Sequence, residues 1–239
     1  MNVYRTDNID ELLENNSYVG RGLIIGKSLN GEKAVVAYFI MGRSQNSQNR
    51  TFAMEEENLK ILPFDETKVD DPSLIIYYPL KSINNKLIVT NGDQTDTIYD
   101  YLKEGKTFEE ALETRSFEPD EPHFTPRISG IVTFNKNNIS YKMSILKSGN
   151  SQGTSCDRYT FSYEGLNGIG QFLHTYMNDG NPIPTFLGEP ERVNIPDEID
   201  HFTNSIWKSL DNKNKISLYV RYTDINTKKY ESRLINKNE

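Results

Sequence analysis

The sequence predicts an α+β fold, with its strands grouped into more than one sheet and its helices packed outside them. A hairpin signal stands near the N-terminus, where two apolar segments flank Asn30-Gly31. The second segment, Ala34 to Met41, is apolar throughout, which suits a strand covered on both faces. Helix signals interrupt the strands, and no linker, repeat or low-complexity tract divides the 239 residues. The expectation is one domain over residues 1–239, long enough to bury a core without staples.

Taken in order, Asp7 or Asn8 caps a short helix through Glu14, with Ile9, Leu12 and Leu13 on its apolar side. Strands are predicted over 22–28 and 33–41, then over 74–81, 86–90, 127–134 and 139–146. The last two are joined by the turn-forming Asn135-Lys136-Asn137-Asn138. Two more strands are predicted over 158–163 and 216–222. A helix over 96–102 ends at Gly105, and a second over 107–114 opens with the capping box Thr107-x-x-Glu110. Further helices are predicted over 170–177 and 197–210.

The net charge is −7 and no basic run exceeds a pair, so a broad surface for nucleic acid is not expected. A few arginines converging in an acidic protein still make a local pocket for a small anion. A single cysteine, Cys156, excludes an internal disulfide and suggests a reducing compartment. The N-terminal stretch MNVYRTDNIDELLENN has no apolar run that could serve as a signal peptide and nothing later approaches the length of a membrane span, so the expected location is the cytoplasm.

Four segments hold polar residues that folding alone does not ask for. In "MGRSQNSQNRTF", Arg43 and Arg50 sit with Ser44, Asn46, Ser47 and Asn49 as donors for a phosphate or a carbonyl oxygen, although a solvated loop is the simpler account. In "IIYYPLK", Tyr77 and Tyr78 are adjacent on a strand and face opposite ways; a core tyrosine is the simpler account, an oxyanion donor the functional one. In "TNGDQTDTIYDYL", strand, turn and helix start follow each other, and capping by Asp93 and Asp96 is preferred to anion binding. In "FEPDEPHFTPRISG", Pro119, Pro122 and Pro126 stiffen a loop carrying Glu118, Asp120 and Glu121; clamp and plain connection stay equally open.

Other signals are weak. His123, His174 and His201 have no metal-ligand spacing, and no phosphate-loop or nucleophile-elbow pattern occurs. "GLNGIGQF" reads as a turn leading into a helix, and Cys156 as an ordinary thiol.

Taken as an ordered set, "YVGRGLIIG", "GRSQNSQNR", "IIYYPLK", "TNGDQTDTI", "FEPDEPHFTPRISG" and "PIPTFLGEPERV" resemble the inosine monophosphate (IMP) cyclohydrolase family of the archaeal purine-pathway type. They span residues 18–193, which leaves 194–239 as a C-terminal extension of the same domain. The interval from Arg43 to Arg50 is longer than in the archaeal pattern and Tyr78-Pro79 replaces a more polar pair, so a longer, bacterial-like branch is implied.

The resemblance implies a four-layer α-β-β-α sandwich similar to that of N-terminal-nucleophile hydrolases, without self-cleavage. It implies closure of the purine ring of a formylated imidazole-carboxamide ribonucleotide, without metal or cofactor. Arg50, Tyr77 and Glu118 match the family's catalytic positions, and Arg43, Ser44, Asn91, Gly92, Asp93 and Arg127 are its substrate-binding candidates. The implied partners are a small purine ribonucleotide and further copies of the chain, with neither nucleic acid nor membrane. Two rivals differ in class. An N-terminal-nucleophile amidohydrolase needs a freed Cys, Ser or Thr, which Met1-Asn2 does not offer and cleavage before Thr154, Ser155 or Cys156 would. A non-catalytic nucleotide sensor keeps the pocket without turnover.

Overall fold

The computed structural model describes residues 4–68 and 76–238. In chain order, the first half holds α1 (Ile9–Leu13), β1 (Arg21–Lys27), β2 (Lys33–Met41), α2 (Gln45–Gln48), β3 (Thr51–Glu55), β4 (Asn58–Leu62), β5 (Leu80–Ile83), β6 (Lys86–Thr90), α3 (Gln94–Lys103) and α4 (Phe108–Glu113). The second half holds β7 (Arg127–Phe134), β8 (Ile139–Ser148), β9 (Cys156–Glu164), β10 (Ile169–His174), β11 (Glu191–Asn194), α5 (Ile199–Ser209), β12 (Lys215–Asp224) and β13 (Tyr230–Asn236).

The strands form two antiparallel sheets, of order β11-β10-β1-β2-β12-β13 and β3-β4-β5-β6-β7-β8-β9. This is an α+β architecture with few helices. The first sheet grows around the expected hairpin, in which Leu23 pairs with Tyr38 and Gly31 turns the chain at φ +78°, a conformation that costs glycine little. The β2 strand explains its own composition. Alternate residues point to opposite faces, so Ala34, Val36, Tyr38 and Ile40 enter the core between the sheets. Val35, Ala37, Phe39 and Met41 enter a second core, beneath α1 and α5. Each buried side chain of this size contributes about 1.5–3 kcal/mol, so β2 can be polar on neither face.

The second sheet lays Leu87, Val89, Ile128 and Val132 against the first. Its outer face, through Ile88 and Ile131, receives Ile98 of α3 and Phe108, Ala111 and Leu112 of α4. The capping box of α4 forms as expected, with Glu110 N donating to Thr107 Oγ1 at 3.2 Å.

Several expectations change. The segment expected as a helix over 170–177 is β10, which pairs with β1 on one side and β11 on the other. Gly26 and Gly170 face each other there, and a Cβ on Gly26 would lie 2.6 Å from Gly170 Cα, so these glycines permit a close strand approach. "GLNGIGQF" is accordingly a turn into a strand. The strand expected over 74–81 lies partly outside the described residues, and its described part is irregular until β5 begins at Leu80. Pro79 has no N–H for a ladder, although its carbonyl accepts from Thr90 N at 2.8 Å. The short strands β3, β4 and β11 were not among those expected, although Leu59 and Ile61 of β4 alternate with polar neighbours, and β13 is partly buried along its length.

The chain beyond residue 193 is built into the first sheet, since β12 lies between β2 and β13. The start of β1, the end of β2, the end of β6, the start of β7 and the end of β10 all fall at one end of the sandwich. There the core between the sheets gives way to polar residues.

Candidate active site

A cavity of about 590 Å³ opens at that end. The strand starts and ends there deliver its walls, and the residues that the family resemblance assigned to the site all line it: Arg50, Tyr77 and Glu118, together with Arg43, Ser44, Asn91, Gly92, Asp93 and Arg127. Tyr78, Asp96 and Glu121, from the same segments, do not. Polar groups differ sharply in how they are partnered between its floor and its rim.

At the floor, Tyr77 is buried and its hydroxyl lies 3.3 Å from that of the fully buried Tyr38. Burial raises the pKa of both phenols, and the charges of Arg50 and Arg21 oppose this only in part. Arg50, just before β3, has a lowered pKa, first through burial and next through the charge of Arg21. For Arg21, burial alone would lower the pKa, but Glu118, foremost among the charges around it, raises it. The Nε atoms of Arg21 and Arg50 are both buried without a hydrogen-bond partner.

Arg21 is the residue that sequence reasoning passed over. It is 9 % exposed and stands on the same face of β1 as Leu23 and Ile25, which belong to the core between the sheets. The signal was present: an arginine flanked by Gly20 and Gly22 on the core face of an apolar strand has no folding role. Tyr18, Thr125 and Tyr176 also line the cavity and had no distinguishing pattern.

The loop bearing Glu118 is held by hydrogen bonds as well as by prolines. Glu118 N donates to Thr125 O at 2.9 Å, and the Asp120 carboxylate accepts from Thr125 N at 2.6 Å and from the Thr125 hydroxyl. Because that hydroxyl donates to a carboxylate, Tyr176 Oη is the donor in its 2.5 Å contact with Thr125 Oγ1. Phe117 and Phe124 pack edge to face with ring centroids 5.5 Å apart.

At the rim the charged groups are already paired. Arg43 donates to Asp179 and, at 2.8 Å, to Gly180 O, and its guanidinium lies 5.1 Å from the Tyr18 ring centroid. Ser44 caps the single turn of α2 by accepting from Ser47 N. Asp93 does not cap α3 through its side chain, which is where the sequence had put it. Instead it pairs with Arg115 at 2.5 Å and Arg127 at 2.7 Å. Burial works against ionisation of Asp93, but these two guanidiniums outweigh it and hold the carboxyl below its usual range. Asp96, the other expected cap, pairs with Lys81. A Cβ on Gly92 would lie 2.4 Å from Arg127 Nη1 and 2.5 Å from Gln94 Oε1, so a larger residue would displace those side-chain ends. Both polar atoms of the Asn91 amide are engaged, Nδ2 with Pro126 O at 2.9 Å and Oδ1 with Ile128 N at 2.8 Å.

A second cleft of about 580 Å³ lies beside α4 on the outer face of the second sheet. Two of its lysines, Lys106 and Lys142, already pair with Glu104 and Glu109. Among the described residues, no group of three His, Cys, Asp or Glu side chains has metal-binding geometry, and no helix is long and apolar enough to cross a membrane.

Two antiparallel sheets with a polar, arginine-lined cavity at one end define a protein built to take a small, oxygen-rich ligand. The chain belongs to the IMP cyclohydrolase-like protein family, whose model matches residues 18–229. It is similar to proteins named IMP cyclohydrolase from three archaea. The Methanococcus maripaludis protein is 33% identical over 129 residues, covering 52% of this chain and 62% of the relative. For Methanocaldococcus jannaschii the identity is 31% over 126 residues, covering 52% and 61%. For Methanopyrus kandleri it is 34% over 118 residues, covering 48% and 58%. The matched stretch thus spans about three fifths of the length of these relatives.

Proposed function

We propose that this protein is an IMP cyclohydrolase, closing the purine ring of 5-formamidoimidazole-4-carboxamide ribonucleotide to give IMP and water in purine biosynthesis. The observation that carries the proposal is the convergence of Arg50, Tyr77 and Glu118, from separate segments, on the floor of one cavity in a chain of this family. The names of its archaeal relatives support the same reaction.

The reaction asks little beyond position and charge. The carboxamide nitrogen attacks the formyl carbon, a new N–C bond forms, and the carbonyl electron pair moves onto the formyl oxygen. The carboxamide nitrogen and the formamido nitrogen then each lose one proton, the C–O bond breaks, and the oxygen leaves with both protons as water. Holding the two groups in contact supplies much of the acceleration, because the attack is intramolecular.

In this scheme Glu118 takes the carboxamide proton and delivers protons to the departing oxygen. Tyr77, whose phenol burial keeps protonated, donates to that oxygen, and Arg50 stabilises its charge. Arg43 and Arg127 hold the ribonucleotide phosphate at the rim with Ser44, Gly92 and Asp93 around it, and Asn91 braces that wall.

A likeness to N-terminal-nucleophile hydrolases, without self-cleavage, is part of the proposal and is supported by the two facing sheets with helices on their outer faces. So is a single domain over the whole chain, supported by the place of β12 inside the first sheet. We also assign it a cytoplasmic location, consistent with its lone free cysteine, a homo-oligomeric state and no nucleic-acid partner. Incubating the purified protein with the formylated ribonucleotide and following IMP absorbance tests the central reaction. Absence of any rate above the uncatalysed closure, in folded protein, overturns it.

A further inference from the structure

Burying a guanidinium is expensive unless a hydrogen-bonding partner replaces the water it loses. At the cavity floor the chain holds two, Arg21 buried and Arg50 partly buried, each with its Nε shielded from solvent. Arg21 sits at the start of β1 with 9 % of its surface exposed, and Arg50 precedes β3 of the other sheet. Neither forms a salt bridge within 4.0 Å among the described residues, although Arg43 and Arg127 at the rim both do. Each floor arginine keeps a buried Nε with no partner. Glu118 is the carboxylate whose charge acts on both, so two positive groups face one negative group. The floor therefore carries a net positive charge and two unfilled N–H donors.

We infer that Arg21 is a further catalytic residue: its Nε–H and that of Arg50 form a two-guanidinium receptor for the oxygen that becomes anionic during the reaction. The inference rests on the ring-closing function proposed above and deepens it. As the new N–C bond forms, the carbonyl electron pair on the reacting oxygen becomes a localised negative charge. An anion at that point converts the excess charge of the floor from a cost into an attraction. The arginines do not give up protons, since guanidinium stays charged throughout the working range. Their contribution is electrostatic, and Glu118 and Tyr77 carry the proton traffic.

Such a receptor also suits a planar one-carbon oxyanion, and formate is therefore the probe. Melting temperature is followed as formate replaces chloride at constant ionic strength, for the wild type, Arg21→Met, Arg21→Lys and the distant control Lys106→Gln. The expected result is a rise in melting temperature for wild type and control. The rise is lost in Arg21→Met and reduced in Arg21→Lys. In the ring-closure assay, Arg21→Lys is expected to lower kcat on the order of 100- to 1000-fold with little change in KM. Lysine keeps the charge that a purely structural partner of Glu118 would supply but lacks the paired donor geometry.

No formate effect on the wild type, or an equal effect in a folded Arg21→Met, overturns the inference. So does wild-type turnover in Arg21→Lys, which remains the deciding variant if Arg21→Met fails to fold. If formate acts through Arg21 but no ring closes, the proposed function fails and the oxyanion receptor stands. If the ring closes and Arg21→Lys is as fast as wild type, the function stands and the role of Arg21 falls.

Discussion

The Tyr38 hydroxyl lies 3.3 Å from the Tyr77 hydroxyl beneath the cavity floor, on the face of β2 that fills the core between the sheets. If Tyr77 donates toward a ligand, Tyr38 must donate to Tyr77, because each phenol has one proton. Tyr38→Phe removes that support without emptying the core. A neutral hydrogen bond is worth about 0.5–1.5 kcal/mol net, so kcat is expected to fall by roughly 2- to 10-fold. Steady-state assays of a variant with unchanged fold check this.

Tyr77→Phe and Glu118→Gln remove groups assigned to the chemistry itself. Losing the donor is expected to cost on the order of 100- to 1000-fold in kcat, and losing the base on the order of 100- to 10,000-fold. Near-wild-type cyclisation by both variants in folded form would falsify the catalytic assignment.

Arg43 is engaged with Asp179 and Gly180 O at an exposed position. An exposed pair of this kind contributes about 0–1 kcal/mol to stability, so Asp179→Asn should leave the denaturation midpoint nearly unchanged. Arg43→Ala should raise KM more than it lowers kcat, as expected of a group that holds the phosphate. The reverse pattern in the kinetics would move Arg43 into the chemistry.

Asp93 ties Arg115 and Arg127 together, and its carboxyl pKa is held below the usual value despite partial burial. The sign follows from linkage. A depressed folded-state pKa stabilises the fold above the unfolded-state value of about 3.9 and loses that effect as pH falls through the folded value. Asp93→Asn should therefore melt below wild type at neutral pH. The two melting curves should converge as pH drops below about 4, and a gap that stays constant with pH would contradict the assignment.

Asn91 holds Pro126 O and Ile128 N where the Glu118 loop enters β7. Asn91→Ala leaves both buried groups unpaired and is expected to cost on the order of 2 kcal/mol. In a domain of this size that corresponds to a fall of about 4–8 °C in melting temperature. Calorimetry measures it directly, and a variant that binds nucleotide poorly yet melts like wild type would assign Asn91 to the ligand instead.

Much of the secondary structure was legible because its signals are local. The β1–β2 hairpin follows from Asn30-Gly31 between apolar segments, and α4 from its capping box. The β10 strand was misread because glycine and a mixed apolar pattern fit either period. Only pairing with β1 and β11 resolves them, through Gly26 opposite Gly170. Short β3 and β11 are held by their neighbours in the sheet, which no local pattern records, whereas β4 has only the brief alternation of Leu59 and Ile61.

Composition and pattern by themselves determined that this chain is α+β, that β2 is buried on both faces, and which polar segments were surplus to folding. The residues assigned to the site came from the resemblance of the ordered motifs to a known family. What the tertiary structure decided is how those residues divide. Side chains far apart in the chain meet because antiparallel strands bring their ends to one end of the sandwich, and their partners there are set by packing. Thus Asp93 serves Arg115 and Arg127 rather than a helix cap, and Asn91 serves the backbone. Arg21 reaches the same floor as Arg50, with an unfilled donor on each. Burial and partnering are properties of three-dimensional neighbours, and they separate the paired arginines of the rim from the floor arginines, whose Nε groups have no partner.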